Sequence, residues 1–210
     1  MPQTRAVAAR RGGPVGALIL GAGLLAATLV TDGPTPVVET RTAVNTASVV
    51  PAFGPAGRDG RGRTSAELKA LLTRPGMRIT AYPTADAPTC AETARGQVQA
   101  HLRANPCTGL RRVGLEVRDG PGAVGLISVS TVRMPDEAAA RALKEVLDRG
   151  GSGNINELTR ERGAFRGVRY TGRYHASAQA GSLVIVADGE PATPPLPAPA
   201  LTLLVGEAAN

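Results

Sequence analysis

Two histidines, two cysteines and a short stripe of arginines are the residues of this chain whose chemistry could exceed packing. A Ser-His-Asp site would need His101 or His175 as its base, yet no G-x-S-x-G elbow precedes either one. The expectation is structural for both, His101 on a helix surface and His175 at a strand end. Carboxylate pairs such as Asp136 with Glu137, and Glu157 with Glu161, read as helix-dipole and solvated-face charges. The run "RGGSGN" at 149–154 could offer free amides to an anion, but it lacks the lysine and Ser/Thr of a phosphate loop and reads better as a helix stop. No catalytic residue, cofactor-binding residue or metal ligand is assigned, and no cofactor is expected.

The arginines Arg166, Arg169 and Arg173 lie in "AFRGVRYTGRYHAS", which alternates like a strand. On that alternation Arg169 and Arg173 point away from Tyr170 and Tyr174. They would then face an anionic polymer or phospholipid head groups, with a solvated sheet face as the simpler reading.

Cys90 and Cys107 are the only cysteines, and in an oxidising compartment two cysteines point to a bridge. Two thiols at this spacing lack the further ligands of a zinc site. Thr89 and Glu92 have capping-box spacing, and Ala91, Ala94, Val98 and Leu102 recur at helical intervals, which predicts a helix over 90–104. An unbroken helix of that length would extend about 21 Å at 1.5 Å per residue. Bridged Cα atoms lie about 4.4–6.8 Å apart, and three further residues return at most about 10 Å. The helix therefore breaks early, with Gly96 as the candidate, or the thiols pair between chains or stay free.

The address follows from the other end of the chain. Residues 14–31 carry no charge, and with Gly12 and Gly13 the run approaches the roughly 20 residues that cross a bilayer core. Arg5, Arg10 and Arg11 precede it and Asp32 follows, so the positive-inside rule puts the N-terminus in the cytoplasm and the rest outside. No good A-x-A-like cleavage site follows, which favours an uncleaved signal anchor over a signal peptide. The cytoplasmic tail, residues 1–13, is too short to bury a core of its own.

Residues 32–87 are rich in proline, glycine and arginine and are expected to form an extended extracytoplasmic linker, with a short helix over 65–73. The globular part is expected over 88–190 and a Pro-rich tail over 191–210, where "LTLLVGEA" can dock a last segment. After the first helix come "LRRVGLEVR" and "AVGLISVSTVR", split by "DGPG" into a hairpin. "MPDEAAARALKEVLDRGG" is the clearest helix, with Pro135 at its first position, an apolar stripe through Ala139, Ala142, Leu143, Val146 and Leu147, and glycines at its end. A helical turn over 154–159, capped at Asn154 and Glu157, the strand "AFRGVRYTGRYHAS" and the apolar "SLVIVAD" complete the set. Two helices and about four mostly antiparallel strands make an α+β fold, a two-layer sandwich.

The net charge of +7 invites a nucleic-acid reading, but aromatic residues are 2% of the chain, tryptophan is absent and no binding motif is present. Nucleic acid is therefore excluded as an expected partner. The cysteine pair, "RMPDEAAARALKEVLDRGGSGNINELTRE" and "FRGVRYTGRYHAS" together resemble extracytoplasmic proteins of high-GC actinobacteria that share a membrane segment, a variable linker and one small domain. The resemblance spans roughly residues 88–190. It implies an address and domain limits but no activity, so no functional residue is carried over.

The chain is thus expected to be a single-pass protein of the cell membrane. The bilayer contacts it through residues 14–31, and it displays a non-enzymatic module to an envelope protein or polymer. A secreted factor and an envelope hydrolase are the alternatives.

Overall fold

The computed structural model describes residues 54–210, so the expected cytoplasmic tail and the 14–31 segment lie outside the described residues. Among the described residues no helix is long and apolar enough to cross a membrane.

The described part is an α+β fold in which a six-stranded, wholly antiparallel sheet carries helices on both faces. In chain order the elements are α1 (Ser65–Leu72), β1 (Arg78–Ala81), β2 (Ala85–Ala87), α2 (Gly96–Ala104), β3 (Gly109–Arg118), β4 (Val124–Arg133), α3 (Glu137–Leu147), β5 (Tyr174–Ala180), β6 (Leu183–Pro191) and α4 (Ala198–Ala209). The sheet runs β1-β3-β4-β6-β5, and β2 pairs with the same edge of β3 as β1.

Strand residues point alternately to opposite faces. Val113, Leu115 and Val117 of β3, Ile127 and Val129 of β4 and Leu183 and Ile185 of β6 pack with α1 and α4. Leu110, Val132, Val184 and Val186 point the other way and pack with α2 and α3. The expected two layers are therefore three. The continuous apolar run Leu183–Ala187 is what two-sided burial requires.

The folded unit also reaches beyond the expected limits of 88 and 190. The stretch expected as linker supplies α1 and the strands β1 and β2. Thr64 caps α1 with a complete capping box to Glu67. The stretch expected as a tail supplies α4, which buries Leu201, Leu204 and Val205 against the sheet.

Local chemistry accounts for the remaining joints. The hairpin between β3 and β4 turns at Asp119, whose carboxylate accepts from the Ala123 N–H at 2.7 Å. Asp136, rather than Pro135, starts α3, accepting from the Ala139 N–H at 2.8 Å as an N-cap. Of the strand expected over 164–177 only the last part forms, as the start of β5. Turns, bends and irregular backbone fill 164–173, and β5 begins only at Tyr174.

The predicted helix over 90–104 is broken where the bridge needs it to be. Ala91–Thr93 is a 3-10 turn without a side-chain cap, and α2 starts at Gly96 with a backbone φ of +66°. The break returns the chain so that Cys90 and Cys107 pair with their Cα atoms 6.1 Å apart. Ser152 seats against the break, its carbonyl accepting from the Gln97 and Val98 N–H groups at 2.6 and 3.2 Å.

A Cβ at position 96 would meet the Ser152 carbonyl oxygen at 2.6 Å and sit at a φ that side chains resist. Gly96→Ala is therefore expected to lower stability by about 2 kcal/mol, measured by urea unfolding. A continuous helix would instead gain up to about 1 kcal/mol from the same change, so the sign of the effect decides.

Candidate functional site

On the face that α2 and α3 cover only in part, the sheet presents polar residues in register. Arg112 of β3 lies opposite Ser130 of β4, Ser128 of β4 opposite Asp188 of β6, and Asp188 opposite His175 of β5. Ser128, Ser130, Arg112 and Asp188 are all buried. Buried polar groups need partners, and the segment between α3 and β5 supplies them for Arg112 and Asp188.

His175 is the centre of one cluster. Its Nδ1 lies 2.9 Å from Asp188 Oδ1, while Asn154 Nδ2 donates to Asp188 Oδ2 at 2.7 Å. Its Nε2 is 4.0 Å from Asp148 Oδ1, at the end of α3. Ser177 Oγ donates to that same Asp148 oxygen at 2.5 Å, and Lys144 Nζ donates to Asp148 Oδ2 at 2.6 Å. The hydrogen bond to Asp188 raises the His175 pKa above its ordinary value, burial opposes the rise, and the charges of Asp188 and Asp148 outweigh that of Lys144. Burial works to raise the Asp148 pKa, but the hydrogen bonds from Lys144 and Ser177 leave it lowered.

The imidazole is thus oriented as a catalytic base would be, by a buried carboxylate that is itself held. What is missing is the nucleophile. Ser177 gives its proton to Asp148 and not to His175, so the hydroxyl is not activated in this arrangement.

A second cluster fixes the rest of the segment. Arg112 Nη1 donates to Glu161 Oε1 at 2.5 Å and to the Asn156 carbonyl at 3.1 Å. Glu157 is buried and takes Arg95 at 2.5 Å and Arg160 at 3.3 Å. Tyr170 Oη shares a 3.0 Å hydrogen bond with Thr159, and burial pushes its pKa well up. Glu190 of β6 accepts from the Thr171 N–H and hydroxyl at 2.7 and 2.9 Å. The turn expected over 154–159 occupies Leu158–Arg160, and instead of capping it the Asn154 and Glu157 side chains bond Asp188 and Arg95.

The third cluster lies on the β2 edge. Arg111 is buried and binds Asp59 and Asp86 through two nitrogens each way, with distances of 2.8–3.0 Å. Its hydrogen bonds lower the pKa of both carboxylates. A surface cavity of about 290 Å³ opens beside it, lined by Arg61, Asp86, Leu110 and Arg133 among others. The arginine that lines it most deeply is already saturated with carboxylate, so the cavity offers little to an anion.

The expected site residues are distributed as follows. Cys90 and Cys107 form a disulfide, and no free cysteine remains among the described residues. Arg166, Arg169 and Arg173 are exposed but stand on a turn-rich loop, not on a strand face. His101 is half-buried on α2 and is not brought near His175's carboxylates. No group of three or more His, Cys, Asp or Glu suited to a metal occurs among the described residues. Sequence reasoning missed the Asp188–His175–Asn154 cluster, for which Asp188, at the end of an apolar strand, was the available signal. No family model, curated protein or solved structure matches the chain.

A histidine with a raised pKa contributes stability that is complete below its unfolded value of about 6.5 and is lost as pH rises through the folded value. The urea midpoint of the wild type should therefore exceed that of His175→Gln most clearly at about pH 6 and below, with the gap shrinking at alkaline pH. A gap that is constant with pH would show that the two carboxylates do not hold the imidazolium.

Proposed function

We propose that the chain is a single-pass membrane protein that displays a disulfide-stapled α+β domain outside the cell as a binding module. The observation that carries this reading is the Cys90–Cys107 bridge, because disulfides persist in oxidising compartments. The uncharged 14–31 run with arginines before it supports the same address. So does the resemblance to actinobacterial extracytoplasmic proteins.

Binding rather than catalysis is favoured by how the polar groups are spent. The carboxylates of the described face are engaged by arginine, histidine, asparagine or backbone donors that hold one segment to the sheet. One observation favours a second reading, that of an envelope hydrolase. His175 is oriented by Asp188, which Asn154 holds, and both Ser177 Oγ and His175 Nε2 face Asp148 Oδ1, at 2.5 and 4.0 Å.

The reading is tested on the tagged full chain in cells. Cys90 and Cys107 are expected to resist alkylation until a reductant is added, and the 14–31 peptide to be recovered by mass spectrometry from the membrane fraction. Immediate alkylation would contradict the extracytoplasmic address, and a mature chain in the medium beginning after residue 30 would convert the anchor into a signal peptide. Replacing both cysteines by serine is expected to cost about 3 kcal/mol for a closed loop of this length.

A further inference from the structure

Among the described residues the arginines that lack a carboxylate partner stand singly in sequence, as Arg78, Arg103, Arg133 and Arg149 do, except in one loop where four cluster. Arg61, Arg74, Arg95, Arg111, Arg112 and Arg141 each meet a carboxylate. In the loop that leads from the Leu158–Arg160 turn into β5, Arg162, Arg166, Arg169 and Arg173 are exposed, and none has a carboxylate partner among the described residues. The stretch 162–173 contains no acidic residue at all. Residues 54–210 carry a net charge of +5, and these four side chains supply +4 of it.

The nearby acids are already committed. Glu161 is taken by Arg112, Glu157 by Arg95 and Arg160, Glu190 by Thr171 and Glu116 by Arg118. The loop itself is fixed at Glu161, Tyr170 and Thr171 by the hydrogen bonds to Arg112, Thr159 and Glu190. Its Gly163 lies against the Tyr82 ring, where a Cβ would come within 2.5 Å of Oη. A pinned loop presents its charges with less ordering to lose on binding than a free tail would.

The chemistry narrows the partner. Guanidinium forks match phosphate oxygens in pairs, which ammonium groups do not. Docking on a bilayer needs apolar side chains to insert beside the charges; among the described residues the one large exposed hydrophobe is Leu203 on α4, outside this loop. Binding to single-stranded nucleic acid uses exposed aromatic rings for stacking. Here Phe165 lies under the Arg118 guanidinium at 5.9 Å and Tyr174 under that of Arg173 at 5.8 Å.

Building on the display reading above, we propose that the 162–173 loop is the binding surface of the module and that its partner is a linear, non-nucleic polymer with repeating phosphate groups.

The test uses the full chain in detergent with fluorescent inorganic polyphosphate as the probe. Binding is expected, weakening steeply as added salt screens the exposed charges. Replacing Arg162, Arg166, Arg169 and Arg173 by glutamine should weaken it about tenfold or more, from four small contributions acting together. Replacing the exposed Arg78, Arg103, Arg141 and Arg149 by glutamine removes the same charge elsewhere and should change it by less than about twofold. Should the fourfold loop variant fail to fold, the double variants Arg166→Gln/Arg169→Gln and Arg162→Gln/Arg173→Gln are each expected to lose about threefold. Equal losses in the loop and control variants would overturn the proposal, as would wild-type strength in the loop variants. So would tighter binding to anionic vesicles or to single-stranded DNA than to polyphosphate. The display reading is judged separately, since thiol protection and membrane fractionation should be the same for wild type and loop variants.

Discussion

Everything in this domain is arranged around three strands, β3, β4 and β6, that are covered on both faces. An antiparallel sheet can leave one face to water, but Leu183–Ala187 is buried throughout and β4 is buried in nine of its ten residues. One face is closed by α1 and α4 over an apolar cluster that includes Val113, Leu115, Ile127 and Ile185. The other is closed by α2 and α3 over only part of its area. Leaving the remainder exposed would strand Arg112 and Asp188 in a half-dry environment, and a covering segment with matching polar groups supplies their partners.

The 152–173 segment meets that requirement and sets the character of the surface. It is held by directional bonds: Asn154 to Asp188, Glu157 to Arg95, Glu161 to Arg112 and Thr171 to Glu190. Its outward side is thereby left rich in arginine, with Glu157 buried and Glu161 paired to Arg112. The disulfide acts at the other end of the same segment. By closing the loop from Cys90 to Cys107 around the break at Gly96, it sets the start of α2, whose first amides receive the Ser152 carbonyl. The staple, the break and the covering segment therefore form one connected arrangement.

Much of this was legible in the sequence where a rule is local. The "DGPG" hairpin, α3 and the short helix now seen as Ser65–Leu72 follow from turn residues and helical spacing. The conflict between a bridge and a helix over 90–104 was arithmetic, and it pointed to Gly96. The layer count was not legible, because β1 and β2 are only four and three residues long and lie in a stretch whose prolines and glycines mask any period. The 164–173 stretch misled for a physical reason. Val168 and Tyr170 do alternate, but Tyr170 is used to bond Thr159 beneath the loop and not to pair with a neighbouring strand. The His175–Asp188–Asn154 cluster joins residues whose separation in sequence carries no local pattern, and only the β5–β6 register brings them together.

Beyond the buried Ile155 and Leu158, the 152–173 segment depends on polar pins to stay against the sheet. Amide hydrogen exchange compared between the wild type and Arg112→Gln tests this dependence most directly, since Arg112 bonds both Asn156 and Glu161. Protection is expected to fall across 156–173 while β4 and β6 keep theirs. Unchanged protection in that segment, or uniform loss across the whole sheet, would contradict it.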